Sequence, residues 1–226
     1  MDIKDAIRER RSIRGFKSEP VPEEIIKAVL DLARLAPSAT NCQPWKFIVL
    51  NGDALARSKR INEQKLNEGA PISPDFKALP PNKLPSPYVD RQNDLARGLF
   101  GAMGIERDDR HRRKEWQFRG KRFFDAPAAI IVCVDEGMYN EAHHISLLDI
   151  GIITQTIALA ALEYGLGTCI QQDTVFYPDE LKEALGIPDS KKLIVAVDIG
   201  YPDWDFPANS FKSDREPIDS LAEWMR

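Results

Sequence analysis

Apolar residues follow two rhythms along this chain. Ile3, Ala6 and Ile7 share one face of a short helix that Asp2 can cap. A second helix is predicted from Pro22, a residue suited to a first helical position, with Glu23 and Glu24 in its first turn. Ile25, Val29, Leu32 and Ala36 then recur at helical spacing until Pro37 stops the run. Lys46-Phe47-Ile48-Val49-Leu50, closed by Asn51-Gly52, reads as a strand, and Ala54 to about Glu68 as a helix. Ala129 to Val134 is continuously apolar, the mark of a buried strand. About His144 to Tyr164 forms a long helix that is apolar nearly all round, so it belongs in a core or at a subunit interface, and Gly165 ends it. Asp149, Thr154 and Gln155 interrupt that helix and argue against a membrane span. Thr168-Cys169-Ile170 and Leu193 to Val197 predict two more strands around a helix at Pro178–Leu185.

Between Gly69 and Tyr88 the rhythm breaks, with Pro71, Pro74, Pro80, Pro81, Pro85 and Pro87 close together. Regular helix or central strand is precluded there. Helices are expected over Asp90–Met103 and Arg107–Lys121, and the segment at about 69–123 reads as a lid-like insertion near a functional cleft. Pro202 to Arg226 is mostly extended until Ile218–Met225. The expectation is one α+β domain over 1–226 with a central sheet flanked by helices.

Composition narrows the partners. At 226 residues and 43% hydrophobic content the chain can bury a sizeable core, and a net charge of −4 supplies no global basic excess for nucleic acid. Cys42, Cys133 and Cys169 are odd in number and widely spaced, which argues against a disulfide framework or zinc site and fits a reducing, cytoplasmic setting. Met1-Asp2-Ile3-Lys4-Asp5 is too charged for a signal peptide. His143 and His144 are adjacent and point apart on a helix, and His111 stands alone, so no metal site is expected.

Two stretches carry candidate chemistry. Arg10-Arg11-Ser12-Ile13-Arg14 sets three guanidiniums and a hydroxyl at a helix end, matched to phosphate oxygens but equally at home on a solvated basic surface. Pro37 to Trp45 is a polar loop in which Ser38, Asn41 and Gln43 could meet the edge of a planar heterocycle, or form an ordinary helix-to-strand turn. The basic run Arg107 to Arg122 reads as a solvated helix face, or as a lid on which Arg110, Arg113 or Arg119 pairs with a substrate carboxylate.

Arg-Arg-Ser-x-Arg followed by Pro-Ser-x-x-Asn-x-Gln-Pro-Trp resembles the opening of the FMN-dependent nitroreductase family. Asp149-x-Gly151-x-x-x-Gln155, Tyr164 to Cys169, Leu185 to Pro188, Ile199 to Pro202 and Arg215-x-Pro217 follow in the family's order. The resemblance covers almost the whole chain except about 52–123. Within the family, Gly98 to Gly101 and Arg122 to Pro127 look most like enzymes that reduce nitrobenzoates. It implies a mixed, mainly antiparallel sheet and a homodimer with exchanged tails. It also implies an FMN whose phosphate is held by Arg10, Arg11, Ser12 and Arg215, with Arg14 at the N1/C2=O edge of the ring. Ser38, Asn41 and Gln43 would contact the ribityl chain or pyrimidine, and Gln171 and Gln172 would pass over the ring, replacing a Trp-Ile-Gly stretch common in the family. The implied reaction takes electrons from NADH or NADPH and delivers them to a small nitroaromatic in ping-pong fashion, with no protein nucleophile. Dehalogenation or enone reduction on the same scaffold, or non-catalytic flavin binding, are the alternatives.

Overall fold

The computed structural model describes residues 1–77, 83–139 and 144–225. Its elements run α1 (Ile3–Glu9), α2 (Glu23–Ala33), β1 (Trp45–Asn51), α3 (Gly52–Glu68), α4 (Tyr88–Ala102), α5 (Arg110–Lys121), β2 (Ala128–Asp135), α6 (Ile145–Glu163), β3 (Gly167–Gln171), α7 (Pro178–Leu185) and β4 (Lys191–Gly200). The strands form one sheet in the order β1-β2-β4-β3, every neighbouring pair antiparallel. Within the chain the sole parallel pairing among the described residues is an isolated bridge, Ser12 to Thr168.

β2 explains why its sequence is continuously apolar instead of alternating. Ala128, Ile130, Val132 and Val134 face a core shared with Val29 of α2 and Ile153 and Ile157 of α6. Ala129, Ile131 and Cys133 face a second core with Leu50, Phe123, Leu181 and Leu193. Helices cover both faces, so each side chain leaves water whichever way the pleat turns it. α6 is long and apolar enough to cross a membrane by length and composition. Ile150, Ile153, Ile157 and Ala161 pack into the core, while Ile145 and Leu148 remain outside.

Element ends depart from expectation for local reasons. α2 stops at Ala33, ahead of Pro37. α5 begins at Arg110 instead of Arg107, because the Asp109 carboxylate caps it by accepting from Arg112 N at 2.9 Å. Gly165 ends α6 with φ 68°, the left-handed geometry that suits glycine. In the tail the expected helix at Ile218–Met225 shrinks to a short turn at Ile218–Ser220, and a second turn forms at Pro207–Asn209. His143, Pro80 and Pro81 lie outside the described residues.

Candidate functional site

The end of α1 and the tail meet in one cavity of about 390 Å³. Its walls include Arg10, Arg11, Ser12 and Arg14 from the N-terminal segment, Leu95 from α4, and Phe211, Lys212, Ser213 and Arg215 from the tail. The N-terminal segment lies against the sheet edge: Ile13 N donates to Thr168 O at 2.9 Å and Lys17 N to Tyr201 O at 2.9 Å. Burial, and then the nearby Arg215 charge, lower the Arg10 pKa. Glu9 is the carboxylate at hand, 3.4 Å from Arg11 and 3.8 Å from Lys212. The Arg11 Nε is buried with no partner. Like charges gathered around a cavity, with an unused buried donor, form a receptor for a multiply charged anion.

Arg14 is held differently. Its guanidinium lies 5.8 Å from the centre of the Phe124 ring, and Trp116 packs on Phe124 at 5.3 Å. Phe124 belongs to an unusual turn: Phe123, Phe124 and Asp125 have φ of 59°, 49° and 61°. Left-handed backbone costs a residue with a Cβ roughly 1–2 kcal/mol. Full burial of Phe123 and the pairing of Asp125 with Arg119 at 2.9 Å and Arg122 at 2.8 Å offset that strain.

The predicted loop residues lie elsewhere. Ser38 Oγ accepts from Gln43 N at 2.9 Å, and Gln43 Nε2 donates to Asn41 O at 3.1 Å. The buried Asp149 of α6 anchors this loop by accepting from Ala39 N at 3.0 Å. Thr40, Asn41 and Gln43 adopt positive φ, so the loop is a built feature. Ser38, Asn41 and Gln43 do not line the arginine cavity. Gln172 instead lines an apolar groove of about 330 Å³ with Gly151, Gln155 and Ile170, and its amide donates to Phe76 O at 2.5 Å. Gln171 turns inward, its Nε2 donating to Asp198 Oδ2 at 2.5 Å and to Gly120 O at 3.3 Å. Asp198 is fully buried and its pKa is raised well above the carboxylate range by desolvation first. Cys169 beside it is pushed up to about 12 by burial, which makes it a packed thiol.

Of the three arginines read as substrate candidates, Arg119 is committed to Asp125 and stacks on Phe206 at 4.4 Å. Arg113 stacks on Phe100 at 4.3 Å, gives Nε to Glu106 O at 3.0 Å, and lines a cavity of about 570 Å³ on another face of α4. Arg110 is exposed.

The nitroreductase family model matches residues 7–201. The chain belongs to that family. It is 33% identical to a nitrobenzene nitroreductase of Ectopseudomonas oleovorans over 99% of this chain and 96% of the relative. Identity to a 4-nitrobenzoate reductase of Nocardioides sp. is 34%, over 94% and 85%. The fold superposes with a TM-score of 0.93 on an FMN and NADPH-dependent nitroreductase, NfnB, from sphigopyxis sp. strain HMH, at 26% identity and complete coverage of both chains. The matches to these relatives run through residues 69–123 as well, so membership of the nitroreductase family extends beyond the motifs at the two ends of the chain.

Sequence reasoning missed a cation that lines the cavity of this nitroreductase-family chain and a buried amide that lies behind its wall. Lys212 lines it three positions before Arg215, and a basic residue at that spacing in an extended tail was the available signal. Asn209, fully buried behind Arg14, carries no signal that separates it from a surface asparagine.

Proposed function

We propose that this protein is an FMN-dependent oxidoreductase that uses NADH or NADPH to reduce nitroaromatic or similar electron-poor aromatic substrates. The observation that carries the reading is the convergence of Arg10, Arg11, Ser12 and Arg14 with Lys212 and Arg215 on one cavity. FMN fits that donor set: its phosphate offers the counter-charge that Arg10 and Arg215, facing one another, do not find in each other, and an acceptor for the unpartnered Arg11 Nε. When bound, FMN supplies the two-electron chemistry between nicotinamide and acceptor. Arg10, Arg215 and Lys212 would hold the phosphate, Ser12 would add a hydroxyl donor, and Arg14 would place a fixed cation toward the ring. Orientation and water exclusion are the protein's remaining contributions.

Ser38, Asn41 and Gln43, with the groove of Gln155 and Gln172, stand apart from the arginine cavity within one chain. A homodimer that buries the outward Ile145 and Leu148 of α6 would bring one protomer's loop to its partner's cavity. The test is an absorption spectrum of the purified protein, anaerobic titration with NADH and NADPH, then addition of nitrobenzene. A flavin band that bleaches with the nicotinamide and returns with the nitroarene is expected. A colourless protein that refuses added FMN at low salt would overturn the reading, and a flavin-loaded monomer on gel filtration would overturn the dimer.

A further inference from the structure

We propose that Asn209 is the positioning residue of the phosphate cavity, a buried amide that locks the N-terminal arginine segment to the cationic tail. This rests on the flavin reading of that cavity. Asn209 is fully buried, and its side chain uses every hydrogen-bonding position it has. Oδ1 accepts from Arg14 N at 2.7 Å and from Gly15 N at 3.2 Å. Nδ2 donates to Gly15 O at 2.7 Å and to Asp203 O at 2.7 Å. Its own carbonyl accepts from Arg11 Nη1 at 3.4 Å. An aspartate could accept the same two bonds but not make the two donations, and an aliphatic side chain could make none.

Gly15 shows how closely the two segments are fitted. A Cβ there would lie 2.3 Å from the Phe206 ring, so the tail turn closes directly on the backbone that Asn209 grips. Arg14 is the first residue this clamp grips and Lys212 follows Asn209 by three residues, and both line the cavity. The amide therefore sets the distance between the two cationic walls without touching the space between them. Breaking buried hydrogen bonds of this kind leaves unsatisfied backbone groups that must move to find water. Movement there pulls the walls out of register.

Riboflavin, which lacks the phosphate, separates positioning from plain structural support. Asn209→Ala and the isosteric Asn209→Asp are compared with the wild type for binding of FMN and of riboflavin, alongside thermal unfolding. FMN affinity is expected to fall roughly 10–100-fold while riboflavin affinity changes less than about threefold. Should Asn209→Ala fail to fold, the Asp variant carries the test. Equal losses for both ligands, or an unchanged preference for FMN, would overturn the assignment of Asn209 alone. A wild type that prefers FMN no more than riboflavin would instead remove the flavin reading of the cavity, and this proposal with it.

Discussion

Arg122 gives Nη1 to Glu63 at 3.0 Å and Nε to Asp125 at 2.8 Å, and Arg112 donates to Met103 O at 2.8 Å. Arg10, in the other arginine-rich stretch, has no carboxylate partner among the described residues and faces Arg215 across the cavity. Side chains of one kind thus serve opposite ends in two regions of the molecule. Around α5 the guanidiniums of Arg112, Arg119 and Arg122 are consumed by internal acceptors, and the last two hold down the strained turn at Phe123–Asp125. Around the N-terminal segment they are left in excess over acceptors, which is what an anion site requires. An arginine cluster becomes a binding site when the fold withholds its carboxylates.

Paired variants would break that contrast most directly. Arg10→Ala with Arg215→Ala removes two charge-assisted contacts to phosphate, each contributing about 1.5–3 kcal/mol. FMN affinity should fall by roughly 100-fold or more with little change in unfolding by urea. Arg119→Ala with Arg122→Ala should do the reverse, lowering stability by about 1–2 kcal/mol for partly exposed ion pairs while the preference for FMN over riboflavin stays. Fluorescence titration and urea unfolding on both double variants provide the check. If the two pairs changed the same quantity, the distinction between the regions would be lost.

The sequence conveyed the elements of the sheet and the buried helices well, because a run such as Ala129 to Val134 has one stable fate in a domain of this size. It also located five residues of the cavity, since Arg10 to Arg14 are contiguous and Arg215 stands in a recognisable Arg-x-Pro pattern. What it could not convey is which donors would already be occupied. Arg119 and Arg10 look alike until Asp125 is folded beside one and Arg215 beside the other. The left-handed turn was equally hidden, because Phe-Phe-Asp has no local preference for positive φ and adopts it through tertiary contacts. Gln171 was read as pointing toward a ligand, whereas β3 turns its amide inward to Asp198.

Asp198 joins the two regions. Gln171 spans from its Oδ2 to Gly120 O at the end of α5, and Cys169, its partner across β3 and β4, packs with Ile13 and Phe124. Desolvation raises the folded pKa of Asp198 above its unfolded value. Below the ordinary carboxylate range both states are protonated and no stability is lost. As pH rises through that range the unfolded chain ionises first, so stability declines until the raised folded pKa is reached. Asp198→Asn cannot ionise. Its stability relative to wild type should climb as pH rises above about 4, by up to about 1.4 kcal/mol per pH unit. Urea unfolding at three pH values measures this, with FMN preference unchanged. Parallel pH profiles for the two proteins would mean that Asp198 is ionised in the fold.

The smallest expected effect concerns the arginines of α5 that internal pairing leaves partly free. Arg113 spends Nε on Glu106 O and one face on Phe100, which leaves its terminal N–H groups over the cavity that Arg97 and Arg107 also line. An anchored guanidinium loses less conformational freedom on meeting a carboxylate than the exposed Arg110 would. Arg113→Ala should therefore raise KM for 4-nitrobenzoate about three- to tenfold, a change of about 0.7–1.4 kcal/mol, and leave nitrobenzene unaffected. Arg110→Ala should change neither substrate. Arg119→Ala should act through stability, because its charge already belongs to Asp125. An equal rise in KM for the charged and neutral substrates in Arg113→Ala would show that the cavity on this face of α4 does not read a carboxylate, and would leave the cavity of the N-terminal segment and tail as the anion site the arginines of this fold build.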